Sequence, residues 1–318
     1  MEDKLYNAVQ QVLTQVDQVI LGKEKETKEI MVTFLADGHV LLEDIPGVGK
    51  TTLAVAFSRA MQLDYRRVQF TPDVLPSDLT GFSIYRREEE KFVYQPGSVF
   101  CNLLLADEIN RTSPKTQSAL LEVMEERKVT VDGETRKVPE PFLVIATQNP
   151  SGTVGTQRLP EAQTDRFMIS MSIGYPDYDS EFLMAKGISP EEKYNRISPA
   201  LSKEDFLVIQ KKIYQIYIKD TVYAYILKLI RSTREHPDIE RGASPRATIA
   251  LVKMAKAWAW MDHRDYVTPS DVSCQFPYVA AHRIILSGAA EMKGKKKTDV
   301  LKEILRDVEI PSMGEECR

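Results

Sequence analysis

The sequence predicts an α/β domain with a mainly parallel β-sheet, followed by a second domain made only of helices. Short apolar runs with β character alternate with helical patterns over the first half of the chain. This alternation is typical of a parallel sheet covered by helices on both faces. A glycine-rich segment at residues 44–52 joins one of these runs to a helix. After Gly174-Tyr175-Pro176 the strand-like runs stop, and helical patterns continue.

Two helices are expected before the first strand. Leu5, Val9, Val12 and Val16 recur at helical spacing, which gives the first helix an apolar face. The second helix is expected from Glu24 to Ala36. The strand-like runs then follow at residues 39–43, 66–70, 103–107, 142–147 and 167–173.

Two segments interrupt the alternation and predict β-hairpins. Residues 82–95 have a polar middle between two strand-like halves. Residues 128–138 contain Asp132-Gly133, which is a strong signal for a two-residue turn between antiparallel strands.

The second half of the chain is expected to be helical. Asp220, Ser244-Pro245 and Thr268-Pro269 are typical residues for the start of a helix. The expected helices cover residues 204–218, 220–235, 245–262 and 269–282. We therefore predict an α/β domain at 1–190 and an all-α domain at 200–318.

Composition limits the classes of function. The chain has 318 residues, of which 43% are hydrophobic, and a formal net charge of −4. This charge argues weakly against a nucleic-acid groove. Three scattered cysteines exclude a cysteine-rich zinc site, and four histidines without ligand spacing disfavour a metal site made of protein ligands alone. There is neither an apolar run of the roughly 20 residues that a membrane helix needs nor a signal-peptide core. We therefore expect a cytoplasmic protein without membrane insertion.

The segment from Asp44 to Thr52 predicts a phosphate-binding loop. It reads Asp-Ile-Pro-Gly-Val-Gly-Lys-Thr-Thr and lies between a strand-like run and good helix formers. Its glycines allow backbone N–H groups to surround an anion, and the helix N-terminus adds a favourable dipole. Lys50 can reach the outer phosphates, and Thr51 can offer its hydroxyl to Mg²⁺. Asp44 stands where the usual pattern has its first glycine, so Pro46 is expected to help set the turn.

Polar residues end two of the predicted strands. Asp107 and Glu108 follow an apolar run, where Asp107 can hold a Mg²⁺ shell and Glu108 can polarise water. Asn149 follows another such run and can orient the same water. Surface acids at a strand end and a plain turn residue are the alternative interpretations. The combination with a phosphate loop favours the catalytic one.

Taken together, these motifs resemble those of the MoxR family of AAA+ ATPases. The matching stretches are 42–51, 69–73, 76–81, 106–111, 146–150, 159–167 and 244–247. The resemblance covers nearly the whole chain. It implies an AAA+ P-loop NTPase core with a parallel five-stranded sheet, an all-α lid domain and a homo-oligomer, expected to be a hexameric ring. It also implies hydrolysis of ATP to ADP with Mg²⁺. The two predicted hairpins match the helix-2 insert and the pre-sensor-1 insert of this clade.

The resemblance assigns roles to the residues singled out above. It makes Lys50 and Thr51 the Walker A pair, and Asp107 and Glu108 the Walker B pair. Asn149 takes the place of sensor 1. Mg²⁺ is thus assigned to Thr51 and Asp107, and catalysis to Lys50, Glu108, Asn149 and Arg166.

Two arginines and one apolar segment complete the implied site. Arg166 matches the arginine finger that reaches the neighbouring subunit's nucleotide, although taken alone it would be an exposed surface charge. Arg246 matches sensor 2, and Ser244-Pro245 puts it in the first turn of a helix, where anions are favoured. Ile20-Leu21-Gly22 lies where the family packs adenine. The implied nucleotide-binding set is Ile20, Leu21, Gly22, Pro46, Gly47, Val48, Gly49, Lys50, Thr51, Thr52 and Arg246.

The resemblance implies chaperone-like remodelling or maturation of client complexes, including metal insertion, with partners that carry von Willebrand factor A domains. Two alternatives stay open, namely a nucleic-acid motor and a magnesium-chelatase-type ATPase subunit of the same clade. The acidic hairpin tip, Asp132-Gly133-Glu134, disfavours a motor that tracks DNA, so nucleic acid is not an expected partner. The presence of Glu108 and Asn149 disfavours a nucleotide-binding scaffold without hydrolysis.

Overall fold

The computed structural model describes residues 2–45, 47–149, 159–186 and 194–312. The chain divides into two compact units. The first unit comprises Met1–Met31, His39–Leu159 and Ser172–Leu207, and the second comprises Val32–Gly38, Pro160–Met171 and Val208–Arg318. The domain boundaries expected from the sequence, 1–190 and 200–318, stay predictions.

The helices and strands have the following bounds. The helices are α1 (Glu2–Asp17), α2 (Glu24–Leu35), α3 (Lys50–Ala60), α4 (Pro76–Thr80), α5 (Pro114–Glu126), α6 (Glu161–Thr164), α7 (Tyr178–Ala185), α8 (Lys203–Tyr214), α9 (Asp220–Glu235), α10 (Pro245–Met261), α11 (Pro269–Ala280), α12 (Gly288–Met292) and α13 (Lys297–Asp307). The strands are β1 (Val40–Glu43), β2 (Tyr65–Gln69), β3 (Phe82–Arg86), β4 (Lys91–Gln95), β5 (Leu103–Asp107), β6 (Lys128–Val131), β7 (Glu134–Lys137), β8 (Leu143–Gln148), β9 (Ile169–Met171), β10 (Ile239–Arg241) and β11 (Ile285–Leu286).

The main sheet has five strands in the order β2-β5-β8-β1-β9, and the pairs β2–β5, β5–β8 and β1–β8 are parallel. The predicted parallel five-stranded sheet is therefore confirmed. Central strands of such a sheet are covered on both faces and read as continuous apolar runs. The strand β5, with the sequence Leu-Leu-Leu-Ala-Asp, is buried along its whole length.

The register of the parallel strands brings their carboxyl ends to one edge. Gln69 pairs with Asp107, and Glu43 pairs with Gln148. The polar residues that end these strands are therefore neighbours although they are far apart in the sequence. In open parallel sheets this edge is where ligands bind.

Both predicted hairpins are confirmed. The strands β3 and β4 pair antiparallel, and so do β6 and β7. The turn of the second hairpin has positive φ at both central residues, 53° at Asp132 and 77° at Gly133. Positive φ at both central residues is typical of the type I′ turn of two-residue hairpins.

The C-terminal part of the chain is mainly helical, as the sequence predicts, and contains one short pair of strands that the prediction lacked. The short strands β10 and β11 pair antiparallel, with Ile239 opposite Leu286. Strands of three and two residues are too short to produce a recognisable alternation. The helix expected at 204–218 was also predicted too long, since it ends at Tyr214 and Tyr217 forms a bridge with Tyr266 instead.

Each unit has its own apolar core. In the first unit Phe57, Leu104 and Ile145 are fully buried. In the second unit Leu251 and Phe276, from α10 and α11, are fully buried as well. Among the helices that the structure describes, none combines the length and the apolar composition needed to cross a membrane.

Candidate functional site

The phosphate-binding loop leads directly into α3. Gly47 and Gly49 have φ angles of 91° and 92°, and no atom lies within 4 Å of a Cβ built at either position. The backbone conformation itself, rather than a lack of space, therefore explains the two glycines. Lys50 begins α3, and its buried ammonium donates a 3.0 Å hydrogen bond to the carbonyl oxygen of Asp44. The predicted ligand residue Pro46 lies outside the described residues.

Three nearby carboxylates influence the charge of Lys50. Burial lowers the pKa of its ammonium, while Asp107, Asp44 and Glu108 oppose that shift. The lysine at the end of the loop and the two acids at the end of β5 are thus within electrostatic reach of one another. The structure brings together the residues that the sequence assigned to a single phosphate site.

Asp107 uses both oxygens of its carboxylate. Its Oδ1 accepts a 2.7 Å hydrogen bond from the hydroxyl of Thr147, and its Oδ2 accepts a 2.6 Å charged hydrogen bond from Arg67. Arg67 also donates to Gln69, which is two residues further along β2 and therefore on the same face of the strand. Gln69 lies opposite Asp107 in the pairing of β2 with β5. This register brings Arg67, two residues earlier on β2, close to the carboxylate of Asp107.

Glu108 is held by its backbone and by its side chain. Its φ of 56° is in the left-handed region, which is uncommon outside glycine and often found at functional sites. Its backbone N–H donates to the hydroxyl of Thr147 at 2.8 Å. Its Oε2 accepts from Arg111 at 2.7 Å, and its Oε1 accepts from the amide of Asn149 at 3.1 Å. The acid and the amide that were expected to share a water are therefore in direct contact.

The partners of Glu108 keep it ionised. Burial raises the pKa of this carboxyl, but the hydrogen bonds from Arg111 and Asn149 outweigh burial, and the pKa lies below its ordinary value. Each carboxylate oxygen retains acceptor capacity for a water molecule. The Oδ1 atom of Asn149 is also buried and accepts no hydrogen bond from the described part of the chain. Glu108 and Asn149 together thus present acceptors for a polarised water.

The residues expected to hold Mg²⁺ suit that ion. Thr51 is the second residue of α3, and Asp107 ends β5. A hydroxyl and a carboxylate are hard oxygen ligands of the kind that Mg²⁺ prefers. Since Arg67 is bound to Asp107, the carboxylate is already held in a fixed orientation by this ion pair.

A cavity of about 190 Å³ adjoins the phosphate loop in the first unit. It is lined by Val19, Ile20, Leu21, Lys23, Gly47, Val48, Gly49, Thr52, Gly174 and Pro176. Its apolar wall at residues 19–21 suits a flat, largely apolar ring such as a nucleotide base. Gly22, which was expected in the base site, is not among the lining residues. Its φ is +68°, and a Cβ there would approach the hydroxyl of Ser180 to 2.7 Å.

Asp44 and Thr147 are two residues whose importance the sequence interpretation missed. The buried carboxylate of Asp44 accepts hydrogen bonds from the Ser172 hydroxyl at 2.6 Å and from the backbone N–H groups of Ile173 at 2.7 Å and Gly174 at 3.0 Å. It therefore ties the phosphate loop to a wall of the adjoining cavity. The departure from glycine at position 44 was the available signal. For Thr147, the signal was a hydroxyl that directly follows the apolar run Leu143–Ala146.

The two expected arginines belong to the second unit. Arg166 follows α6 by two residues. Arg246 lies in the first turn of α10, where its backbone N–H donates to the side chain of Ser244 at 3.1 Å. Asp165, the residue before Arg166, accepts a 2.8 Å hydrogen bond from the same serine hydroxyl. The structure thus links the segment of Arg166 to the start of the helix that carries Arg246.

Comparisons with known proteins agree with this fold. A family model described as "ATPase family associated with various cellular activities (AAA)" matches residues 39–169, and an "AAA lid domain" model matches residues 231–304.

Similar proteins match over nearly the whole chain. The uncharacterised protein YeaC of Bacillus subtilis is 42% identical over 98% of this chain and 97% of its own length. The protein named chaperone MoxR1 of Mycobacterium tuberculosis is 36% identical over 96% of this chain and 83% of its own. A crystal structure of a Cytophaga hutchinsonii protein, described as a candidate ATPase, superposes with a TM-score of 0.91 at 38% identity, covering 98% of this chain and 97% of that one.

Proposed function

Because the chain belongs to the MoxR family of AAA+ ATPases, we propose that it binds Mg-ATP at the phosphate loop and uses the energy of hydrolysis for chaperone-like remodelling or maturation of partner proteins. The observation that carries the proposal is the environment of Glu108. This carboxylate is ionised, is held by Arg111 and Asn149, and is adjacent to Asp107. Attack of water on a phosphoanhydride requires such positioning more than strong basicity.

In the proposed reaction each residue has a limited task. Lys50 neutralises charge on the outer phosphates, and the N–H groups of the loop and of α3 surround them. Glu108 accepts a hydrogen bond from the attacking water, and Asn149 holds the water in line. Bound Mg²⁺ would neutralise charge on the phosphate oxygens, with Thr51 and Asp107 as the residues that would hold it.

The proposal includes assembly. Arg166 is assigned as the arginine finger for the nucleotide of a neighbouring subunit, and Arg246 as the sensor-2 contact on the lid. Each catalytic site is then incomplete in a single chain and is completed in a ring, which we propose to be a hexamer. The chaperone-like role rests on the relative named chaperone MoxR1. Proteins with von Willebrand factor A domains are the proposed partners, and insertion of a metal into a client complex is the proposed outcome.

Two variants separate binding from hydrolysis. Glu108→Gln should bind Mg-ATP with wild-type affinity by calorimetry, while its turnover falls about 100-fold or more, as expected on loss of a residue that activates water. Lys50→Ala should bind ATP about tenfold more weakly or worse, because a charged contact to phosphate is lost. Equal ATP affinity in wild type and Lys50→Ala would contradict the site assignment.

The same pair of variants tests the biological role. With ATP present, Glu108→Gln should stay in the ATP-bound state and retain its partners from a lysate of the native host. Lys50→Ala, treated identically, is the matched control for capture that does not depend on nucleotide. Mass spectrometry should identify proteins with von Willebrand factor A domains among those that only Glu108→Gln retains. Enrichment of replication proteins instead would contradict the proposed role and favour the nucleic-acid motor. Enrichment of chelatase subunits would favour the magnesium-chelatase-type ATPase.

A further inference from the structure

A buried arginine of the second unit holds the backbone on both sides of Arg166. The side chain of Arg283 is 3% exposed. Its guanidinium donates to the backbone carbonyl oxygens of Asp165 at 3.0 Å, Phe167 at 2.5 Å and Met168 at 3.0 Å. These residues flank Arg166 in sequence, so one rigid planar group fixes the course of the chain through that position.

The carboxylate of Asp165 extends this arrangement to the neighbouring helix. Its Oδ1 accepts from the Nε atom of Arg283 at 2.7 Å, and its Oδ2 accepts from the hydroxyl of Ser244 at 2.8 Å. Ser244 is the N-cap of α10 and accepts the backbone N–H of Arg246. A continuous series of hydrogen bonds therefore runs from Arg283 through Asp165 and Ser244 to the first turn of α10.

The electrostatics of this cluster agree with its geometry. Burial lowers the pKa of Arg283, the hydrogen bond and charge of Asp165 oppose that shift, and the positive charge of Arg246 adds to the lowering. Two cationic groups are thus kept within electrostatic reach of each other, with a carboxylate bound to one of them. A buried ion pair of this type contributes little net stability compared with apolar packing, and its better-attested effect is to specify one arrangement.

We infer that Asp165 and Arg283 are positioning residues that hold Arg166 in a fixed relation to the start of α10, so that Arg166 is presented to the nucleotide of a neighbouring subunit in a single arrangement. This inference rests on the proposed function, because it assumes that Arg166 acts on nucleotide. It gives a role to Asp165 and Arg283, to which the sequence analysis assigned none, and adds a link to Asp165 to the role of Ser244 as the start of a helix. Neither Asp165 nor Arg283 itself contacts the reacting phosphate in this scheme.

The test is a double-mutant cycle between Asp165 and Arg166. Asp165→Asn preserves the size of the side chain but removes its charge. We expect its turnover number to fall about tenfold or more, while the affinity for ATP and the size of the assembly stay at wild-type values. If Asp165 acts only through Arg166, then adding Asp165→Asn to Arg166→Ala should cause no further loss of turnover.

The outcomes of the cycle are distinguishable. Losses that multiply in the double variant, or wild-type turnover in Asp165→Asn, would overturn the positioning inference while leaving the proposed function intact. Wild-type turnover in Arg166→Ala would overturn the role of Arg166 in the proposed function, and this inference with it. A reduced ATP affinity in Asp165→Asn, with an unchanged turnover number, would likewise contradict positioning of a group that acts in the transition state.

A serine series covers the case in which Asp165→Asn does not fold. Ser244→Ala leaves the pair of Asp165 and Arg283 in place but removes its link to α10, and it should lower the turnover number. Ser244→Thr keeps a hydroxyl at the N-cap and should restore turnover. Ser287→Ala removes the N-cap hydroxyl of α12 in the same unit and is the matched control. Equal turnover in Ser244→Ala and Ser287→Ala, in folded proteins, would overturn the inference.

Discussion

Arg111 donates a hydrogen bond of 2.7 Å to Glu108, which lies three residues before it, and the two form an ion pair. The carboxylate that is proposed to activate water is therefore already bound to a cation of its own chain. The left-handed backbone at Glu108 and the short 3₁₀ turn at Ile109–Arg111 together bring the guanidinium back over the acid. Arg111 thus contributes, together with Asn149, to both the ionisation and the orientation of Glu108.

This relationship predicts a shift in the pH dependence of turnover. The pKa of Glu108 is lowered in the folded protein, so its ionised form persists above that pKa and is lost as the pH falls through it. Arg111→Ala removes one of the two hydrogen bonds that oppose the effect of burial on Glu108. The pKa of Glu108 should therefore rise in this variant. The acidic limb of the turnover profile should then move to higher pH. Profiles of turnover against pH for both proteins measure this directly.

A surface arginine provides the control for this experiment. Arg306 is mostly exposed and pairs with its neighbour Asp307. Arg306→Ala should therefore leave the pH profile unchanged. If the acidic limb in Arg111→Ala coincides with that of wild type, or moves to lower pH, then Arg111 does not set the ionisation of Glu108.

Asp44 leads to a second prediction, which runs against the usual phosphate-loop pattern. Asp44→Gly would restore the common glycine but would leave the N–H groups of Ile173 and Gly174 without their acceptor. We expect the free energy of unfolding to fall by about 2–4 kcal/mol, since buried donors lose a charged partner. The affinity for ATP should also fall, because this carboxylate ties the loop to a wall of the adjoining cavity. Chemical denaturation and calorimetry measure the two effects.

The matched control for Asp44→Gly is the same substitution at an exposed position. Asp132 has a positive φ of 53°, and glycine adopts this conformation without strain. Asp132→Gly should leave both stability and ATP affinity close to wild type. An Asp44→Gly protein that matches wild type in both measurements would contradict the structural task assigned to this carboxylate.

Much of the fold follows from the sequence because its central strands are apolar on both faces and its turns carry glycine. The run Leu103-Leu104-Leu105 and the pair Asp132-Gly133 identify their elements without further information. The strands β10 and β11 could not be found in this way, because two or three residues show no periodicity. Their pairing depends on contacts between segments more than 40 residues apart in the sequence.

The candidate site was predictable in its motifs but not in its internal contacts. Lys50, Asp107 and Asn149 stand out because Lys50 begins a helix, Asp107 ends a strand and Asn149 directly follows one. The pair of Arg67 with Asp107 depends instead on the order and register of β2 and β5, which the sequence does not state. The same reasoning explains why Arg283 was missed, since its importance comes from three backbone carbonyl groups far away in the chain.

The hairpin of β6 and β7 leads to a third prediction, namely that DNA does not stimulate turnover. Its tip carries Asp132 and Glu134, and the nearest arginine of the hairpin, Arg136, forms an ion pair with Glu134 and lies 4.0 Å from the ring centre of Tyr94. Such a tip provides little positive charge with which to bind the phosphate backbone of DNA. Turnover with single-stranded DNA at ~150 mM salt, where weak phosphate contacts are largely screened, should stay at its basal rate. A several-fold increase would favour the nucleic-acid motor instead.

The last prediction concerns assembly and follows from the role proposed for Arg166. A cation supplied to the γ-phosphate in the transition state can be worth ~10³–10⁵ in rate. Lys50 cannot replace it, because its ammonium is engaged at the phosphate loop of its own chain. Arg166→Ala should therefore bind ATP almost normally and hydrolyse it about 10³-fold more slowly or worse. Turnover per subunit of the wild type should rise steeply with protein concentration as rings form.

Mixing of two inactive variants distinguishes action between subunits from action within one. In a mixed ring, an Arg166→Ala subunit supplies an intact phosphate loop, and a Lys50→Ala neighbour supplies the intact arginine, so that some sites regain both groups. Turnover should then exceed that of either variant alone. The control mixture combines Lys50→Ala with a chain that carries both substitutions, and it should stay inactive because no loop is intact. If turnover is independent of concentration, and mixing gives no rescue although cross-linking demonstrates mixed rings, then Arg166 does not act on the neighbouring subunit.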